Sequence, residues 1–291
     1  MYCKMHMPNY SMRVAFLLIT YTNPEQTLRL INKLQHPDFD FYIHLDAKVD
    51  LQTHAVFLNM PQVYFIKNRV DVKWAGFSTV QAMLNAIEEI IATKEPYDFV
   101  HLMSGQDYPI KSTRFIHRFF DQHKGKEFVH ALHFYTEWLE AVPRIEEYHL
   151  TDYSIPGKYK LQWLMNKVLG KRKAPMNYEF YGKSMFWTLS LPACKYVVDL
   201  FNNNKRFKRF VKLTWAPDEF IIPTIIMNSP FRHNAVRENL LFVDMPEGTS
   251  HPKWLGVEDF PRLQNSPKLF ARKFKLEQNP EIFDMLDWLT R

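Results

Sequence analysis

The chain has 291 residues, 46% of them hydrophobic, which is enough for one large α/β core or two smaller ones. Its formal net charge of +6 favours anionic partners: a nucleotide diphosphate, an acidic polymer or a membrane surface. Two cysteines, Cys3 and Cys194, exclude a disulfide framework and a cysteine metal site, and the absence of a basic arm, an RNP motif or a zinc finger argues against nucleic acid.

Residues 1–11 are polar without periodicity and are expected to form an N-terminal tail. Residues 13–20 form an apolar strand pattern, but the apolar run Val14 to Ile19 within it is about a third of a membrane span and no cleavable signal pattern precedes it. The expectation is a cytoplasmic protein, peripheral at the inner face of a membrane. Asn23 caps and Pro24 opens a helix with Leu28, Ile31 and Leu34 on one face. A second strand at 41–45 completes a βαβ unit and brings His44 and Asp46 to the sheet rim, where open α/β folds bind ligands.

A third strand at 63–66 precedes a helix at 78–91 with Val80, Leu84, Ile87 and Ile91 as its stripe. A fourth strand at 99–103 ends in the polar turn Ser104-Gly105-Gln106-Asp107-Tyr108-Pro109. Ser112 then caps a helix carrying Phe115, Ile116, Phe119 and Phe120. Residues 12–125 read as a nucleotide-sugar-binding half. From about Glu127 the alternation loosens, and 126–291 read as the acceptor-binding and catalytic half. No linker separates the two, so 12–291 is expected to be one domain.

Leu161, Leu164, Met165, Val168 and Leu169 give a helical stripe opposite Lys158, Lys160, Lys167, Lys171, Arg172 and Lys173. The first expectation is a surface helix covering a core edge; the second is an interfacial helix at 158–173 that meets anionic lipid or an anionic acceptor.

Strand-end carboxylates such as Asp46 and Asp107 can hold the ribose diol and imide N–H of a uridine. His44 alone reads as a core histidine. Trp74-Ala75-Gly76-Phe77-Ser78 combines a large ring, a glycine permitting close approach and a capping serine. Asp38-Phe39-Asp40 spells the Asp-x-Asp of metal-dependent sugar transferases, but precedes a strand rather than following one. In 214–220, Pro217 is expected to open a helix with Asp218 and Glu219 in its first turn, and Pro223 to kink or shorten it. Lys253 and the 270–274 run, with Arg272 and Lys273, place cations beside apolar anchors.

Taken in order, His44-Leu45-Asp46, Trp74-x-Gly76, the run from Leu102 through Ser104-Gly105-Gln106-Asp107-Tyr108-Pro109 to Lys111, Pro217-Asp218-Glu219 and Phe270-Ala271-Arg272-Lys273-Phe274 resemble the core-2/I-branching β-1,6-N-acetylglucosaminyltransferase family, which includes the peptide O-xylosyltransferases. The resemblance spans Met12 to about Phe274. It implies a GT-A type α/β fold with a Rossmann-like mixed sheet flanked by helices. It also implies inverting transfer from a UDP-sugar, N-acetylglucosamine foremost and xylose next, to a glycan hydroxyl, with no divalent metal or other cofactor.

Carried over position by position, the resemblance implies Glu219 as general base. The implied donor site is His44, Asp46, Trp74, Gly76, Ser104, Asp107, Lys253, Arg272 and Lys273; the implied acceptor site is Arg144, Tyr181, Trp187 and Asp218. The chain lacks the membrane anchor and cysteines of the animal Golgi members, which points to a soluble bacterial relative. The competing expectation is a non-catalytic protein that binds carbohydrate or an anionic surface.

Overall fold

The computed structural model describes residues 11–291 apart from Thr22 and Ser250. The expected tail lies outside the described residues except for Ser11, whose hydroxyl donates to Asp38 Oδ2 at 2.5 Å.

The elements in chain order are β1 (Val14–Thr20), α1 (Pro24–Leu34), β2 (Phe39–Leu45), β3 (Val63–Phe65), α2 (Phe77–Ala92), β4 (Phe99–Ser104), β5 (Asp107–Pro109), α3 (Thr113–Gln122), β6 (Glu127–His133) and α4 (Val142–Glu146). They continue with α5 (Lys158–Leu169), β7 (Tyr181–Ser190), α6 (Leu191–Asn203), α7 (Lys205–Val211), α8 (Ile221–Met227), β8 (Ala235–Val236), β9 (Leu241–Val243), α9 (Phe260–Asn265), β10 (Phe270–Arg272) and α10 (Pro280–Leu289).

Seven strands form one sheet in the order β3-β2-β1-β4-β7-β6-β8. Neighbours from β3 to β4 are parallel, and β7 alone runs against both β4 and β6. β1 is a continuous apolar run because parallel strands are covered on both faces. β2 carries Asp40 and His44 into this layer; Asp40 is satisfied there, whereas His44 Nδ1 has no hydrogen-bond partner among the described residues. Asp40 Oδ2 accepts from Arg13 and from the Tyr97 hydroxyl, and His44 Nε2 accepts from the Val70 N–H at 3.0 Å. The local helix signals work as the sequence implies: Asn23 accepts from the Gln26 N–H, and Ser112 from the Phe115 N–H.

Four expectations are corrected. Asp107-Tyr108-Pro109 is not only a turn but a short strand, β5, in a second sheet of order β5-β10-β9, with Asp107 opposite Arg272. Its partner lies far along the chain, so local periodicity carries no sign of it. Pro217–Glu219 is a 3-10 turn, and the helix proper starts at Ile221. Pro223 therefore lies in the first turn of α8, where its missing N–H costs little, and it does not break the helix. Finally, α5 does not cover a core edge, because it buries none of its residues.

The buried apolar side chains form a cluster reaching from Met12 through Phe134, Trp187 and Phe220 to Leu286. Among the described residues, no helix is long and apolar enough to cross a membrane.

Candidate active site

The order β2-β1-β4 sets three strand ends side by side, and the loops leaving them are laced together. The Asp46 N–H donates to Thr20 O at 3.0 Å. Gly105 passes so close to the end of β1 that a Cβ there would stand 2.6 Å from Thr20 Oγ1 and 2.9 Å from Thr27 Oγ1. The Gln26 side-chain amide donates to Gly105 O at 2.7 Å and to Phe274 O at 3.1 Å, and the Phe274 N–H donates to Gln106 O at 2.9 Å. Lys273 is thereby fixed beside the turn that ends β4.

The charges at this rim divide into spent and free. Asp107 is buried, accepts from the Ser104 N–H at 2.7 Å and hydroxyl at 3.0 Å, and lies 3.6 Å from Arg272 Nε. Burial pushes its carboxyl up, against the pull of Arg272 and Ser104. The Arg272 guanidinium also stacks 4.3 Å from the Phe186 ring centroid. Lys273, by contrast, has no carboxylate partner among the described residues. Its ammonium sits 4.2 Å from the Trp254 ring centroid, and burial, then the Arg272 charge, lower its pKa. A partly desolvated cation of this kind is suited to an arriving polyanion. Asp46 closes a turn: Oδ1 accepts from the Lys48 N–H at 2.9 Å and Oδ2 from the Val72 N–H at 3.3 Å.

The loop held by Asp46 leads to Trp74, which is 76% exposed. Ala75 O accepts from the Ala216 N–H at 2.8 Å. Both alanines are left-handed, with φ of 58° and 47°, a conformation costing roughly 1–2 kcal/mol per L-residue. This strained junction joins the strand-end rim to the Glu219 turn and lets the Trp74 ring meet Trp215 edge-on at 5.7 Å.

Arg144 lies between two tryptophans, 4.6 Å from the Trp138 ring centroid and 4.5 Å from that of Trp215, and donates to Glu219 Oε2 at 2.5 Å. Glu219 is partly exposed, and its other oxygen has no hydrogen-bond partner among the described residues. β7 packs tightly under this turn because Gly182 has no side chain: a Cβ would stand 2.4 Å from Phe220 Cβ and 2.7 Å from Glu219 O. Lys183, next on β7, reaches Glu140 Oε1 at 3.1 Å and sits 5.0 Å from the Trp138 ring centroid.

Asp218 occupies a different environment from its neighbour. It is buried, Oδ1 has no hydrogen-bond partner among the described residues, and burial followed by the Glu219 charge pushes its carboxyl up to about 7. Two adjacent carboxylates thus differ in role: one is partly exposed and oriented by an arginine, the other is inside.

Several predicted residues are buried or paired within the protein in this arrangement. His44 is fully buried and fixes the 66–72 loop through Val70. Trp187 is fully buried in the core. Tyr181 is buried with its hydroxyl on Glu179 at 2.8 Å. Lys253 is neutralised by Asp259, 2.9 Å away, and Glu258, 3.0 Å away. Asp107 and Ser104 organise the rim rather than line it.

Gly76 is needed for a protein contact, because a Cβ there would lie 2.2 Å from Asp152 Oδ1. Asp152, unnoticed in the sequence, accepts from the Phe77 N–H at 2.5 Å and from the Ser78 N–H at 3.3 Å and hydroxyl at 2.8 Å, and so caps α2 from a distance. Trp138, Glu140 and Lys183 were likewise unread, since they fall where sequence periodicity is lost. Trp215 stood in the quoted 214–220 run without a role.

One group of possible metal ligands occurs among the described residues: His36, Asp38 and His117, with ligand atoms within 4.8 Å of one another. It lies at the start of β2, the opposite end of that strand from Asp46. Its atoms already bond to each other, with His117 Nε2 2.9 Å from Asp38 Oδ2 and the Asp38 N–H donating to His36 Nδ1.

Residues 14–264 match the family described as "Core-2/I-Branching enzyme". The chain belongs to that family. Among curated relatives, "Xylosyltransferase oxt" of Drosophila pseudoobscura pseudoobscura is 26% identical over 302 residues, covering 95% of this chain and 33% of that protein. Human "Xylosyltransferase 1" is 24% identical over 308 residues, covering 97% of this chain and 31% of its own length. The chain therefore spans about a third of the length of these relatives.

Among solved structures, galactosyltransferase LgtC in complex with donor and acceptor sugar analogs superposes with a TM-score of 0.43 at 12% identity, covering 95% of each chain. S. aureus TarS 1-349 gives 0.32 at 14% identity, covering 63% of this chain and 48% of the other. Scores this low carry no argument about residues. Family membership and the mixed seven-stranded sheet flanked by helices make the fold one of GT-A type.

Proposed function

We propose that this chain is an inverting, metal-independent glycosyltransferase that moves a sugar from a UDP-sugar, N-acetylglucosamine or xylose, onto a carbohydrate hydroxyl to form a β-linkage. The observation that carries this reading is the Glu219 carboxylate, held by Arg144 through one oxygen and without a hydrogen-bond partner at the other among the described residues, beside Trp215 and joined to a strand-end rim bearing Lys273. Family membership and the printed names of the xylosyltransferase relatives support it.

The chemistry follows from these groups. The acceptor hydroxyl oxygen forms a bond to the anomeric carbon while the bond from that carbon to the β-phosphate oxygen breaks. The hydroxyl proton passes to the free oxygen of Glu219. Attack opposite the departing UDP turns an α-linked donor into a β-linked product. Arg144 keeps the carboxylate oriented, Trp74 and Trp215 offer apolar faces for the sugars, and the buried Trp138 supports the Arg144 guanidinium. Negative charge growing on UDP falls to Lys273, with Arg272 behind it. Asp46 shapes the pocket for the uridine.

Glu219→Gln tests this assignment. The amide keeps the shape but takes no proton, so transfer should fall by about two to four orders of magnitude. UDP affinity, measured by calorimetry, should stay near wild type. A variant retaining more than about a tenth of wild-type turnover would remove Glu219 from the role of base.

A further inference from the structure

The helix α5 is amphipathic in the inverted sense. Its polar residues face the protein: Asn166 accepts from the Tyr148 N–H at 2.7 Å and donates to Tyr148 O at 3.1 Å, and Gln162 one turn earlier accepts from the Leu150 N–H at 3.0 Å. Its apolar residues face outward. Tyr159 is 74% exposed, Trp163 63%, Leu164 50% and Val168 70%, and Tyr159, Lys160, Trp163 and Leu164 line a shallow groove. No residue of the helix is buried.

Charge on the same segment has one sign. Between Tyr153 and Tyr178 there is no aspartate or glutamate, while Lys158, Lys160, Lys167, Lys171, Arg172 and Lys173 are present. Lys158 donates to Thr151 O, Lys171 is taken up by Glu146, and Arg172 donates to backbone carbonyls of 147, 210 and 213, leaving Lys160, Lys167 and Lys173 outward. The Lys167 ammonium sits 4.9 Å from the Trp163 ring centroid, so cation and ring share one face.

A surface offering bulky apolar side chains interleaved with lysines matches the boundary of an anionic bilayer, where rings and aliphatic groups enter the acyl region and ammonium groups stay with the headgroups. A second copy of the chain fits less well, since it would set lysine against lysine. An acidic glycan would satisfy the lysines but leave Leu164 and Val168 in water.

We propose that α5 docks on an anionic lipid bilayer and thereby turns the Glu219 site toward acceptors carried by that bilayer. The second half of this statement rests on the glycosyltransferase reading; the first does not. The link is structural. The segment clasped by Asn166, Gln162 and the Arg172 N–H, residues 146–152, runs between Arg144, which holds Glu219, and Asp152, which caps α2 next to Trp74. The docking helix is therefore strapped to the strip of chain that joins Arg144, at Glu219, to Asp152, beside Trp74.

Full-length protein should co-sediment with phosphatidylcholine vesicles containing phosphatidylglycerol at least about tenfold more than with phosphatidylcholine alone, and added salt should reduce the binding. Lys160→Glu with Lys167→Glu should cut the binding by about tenfold or more. Trp163→Ser with Leu164→Ser should abolish both binding and the vesicle-induced blue shift of tryptophan fluorescence. UDP affinity, unchanged in both variants, reports an intact fold.

Equal recovery with both vesicle types at low salt would overturn the docking, as would variants that bind like wild type. Loss in the Trp163, Leu164 variant of a concentration-dependent dimer, with no vesicle binding in the parent, would assign the face to a second copy instead. Vesicle binding with no UDP-sugar turnover would leave docking standing and defeat the catalytic reading alone.

Discussion

Asp218 and Glu219 are neighbours in sequence with the same functional group, and the fold separates their chemistry by environment alone. Glu219 is partly exposed with one oxygen unbonded, whereas Asp218 is inside with an oxygen that has no partner among the described residues and a carboxyl pushed from 3.8 up to about 7. A group whose folded pKa lies above its unfolded value binds more protons in the folded state, so its contribution to stability is full below about 4 and declines as pH rises toward about 7. Asp218→Asn should therefore stabilise the protein relative to wild type at pH 8 by up to about 2–4 kcal/mol, and by much less at pH 5. Urea midpoints at the two pH values give the test, and an equal difference at both would refute it. Glu127, buried on Ser190 and raised to about 7, adds a slope of the same sign that the variant keeps. Residues of this kind were only half legible. The sequence marked Asp218-Glu219 and Arg144, but which carboxylate is buried depends on the left-handed Ala216, which no local pattern announces. The burial of Trp187 and Tyr181 is not legible in the sequence, because an aromatic on a strand can point into either side of the sheet.

Elements built on local signals are read closely: α1 with its Asn23 cap, α3 with Ser112, and β1 with its apolar run. Elements that need a distant partner are not. The second sheet pairs Asp107 with Arg272, and α2 takes its cap from Asp152 rather than from a residue at its own start. The α5 stripe has the period of a buried face yet points to solvent, since periodicity shows that a helix has two faces and not which one the protein keeps. The remote cap makes a testable claim about an element. Removing it frees two N–H groups of the first turn of α2 and the Ser78 hydroxyl, and loosens the loop that presents Trp74. Asp152→Ala should cost about 1–2 kcal/mol of stability by urea denaturation, near the upper end for a cap because the bonds also tie 152 to the loop at 74–78. Gly76→Ala, which displaces Asp152 by collision, should lose a similar amount. If Gly76→Ala is as stable as wild type, the carboxylate is not held where the glycine makes room for it.

At the scale of the whole molecule, sheet order brings distant segments to one rim. The ends of β1, β2 and β4 are adjacent only because β1 lies between the other two, and β10 returns Lys273 to that rim from the far end of the chain. The ordered motifs made this assembly legible in outline. The sequence did not show which cations are free: Lys253 is bracketed by two acids, whereas Lys273 lies over Trp254 without one among the described residues. This difference bears on the leaving group. In the proposed reaction, charge on the β-phosphate is largest in the transition state, so a fixed cation beside it lowers the barrier more than it tightens the ground state. The only Asp-x-Asp in the chain is committed elsewhere, Asp40 to Arg13 and Tyr97 and Asp38 to Ser11 and the histidines at the opposite end of β2. Transfer should therefore survive excess EDTA. Lys273→Ala should lower kcat by roughly two orders of magnitude while moving the donor KM by only a few fold, and Lys273→Arg should recover part of the loss. Because burial and Arg272 depress the Lys273 pKa, wild-type kcat should also fall on the alkaline side at lower pH than an ordinary lysine would give, and that limb should be absent in Lys273→Arg. Loss of activity in EDTA with rescue by manganese, or a Lys273→Ala enzyme as fast as wild type, would show that the charge on the diphosphate is met by something other than this lysine.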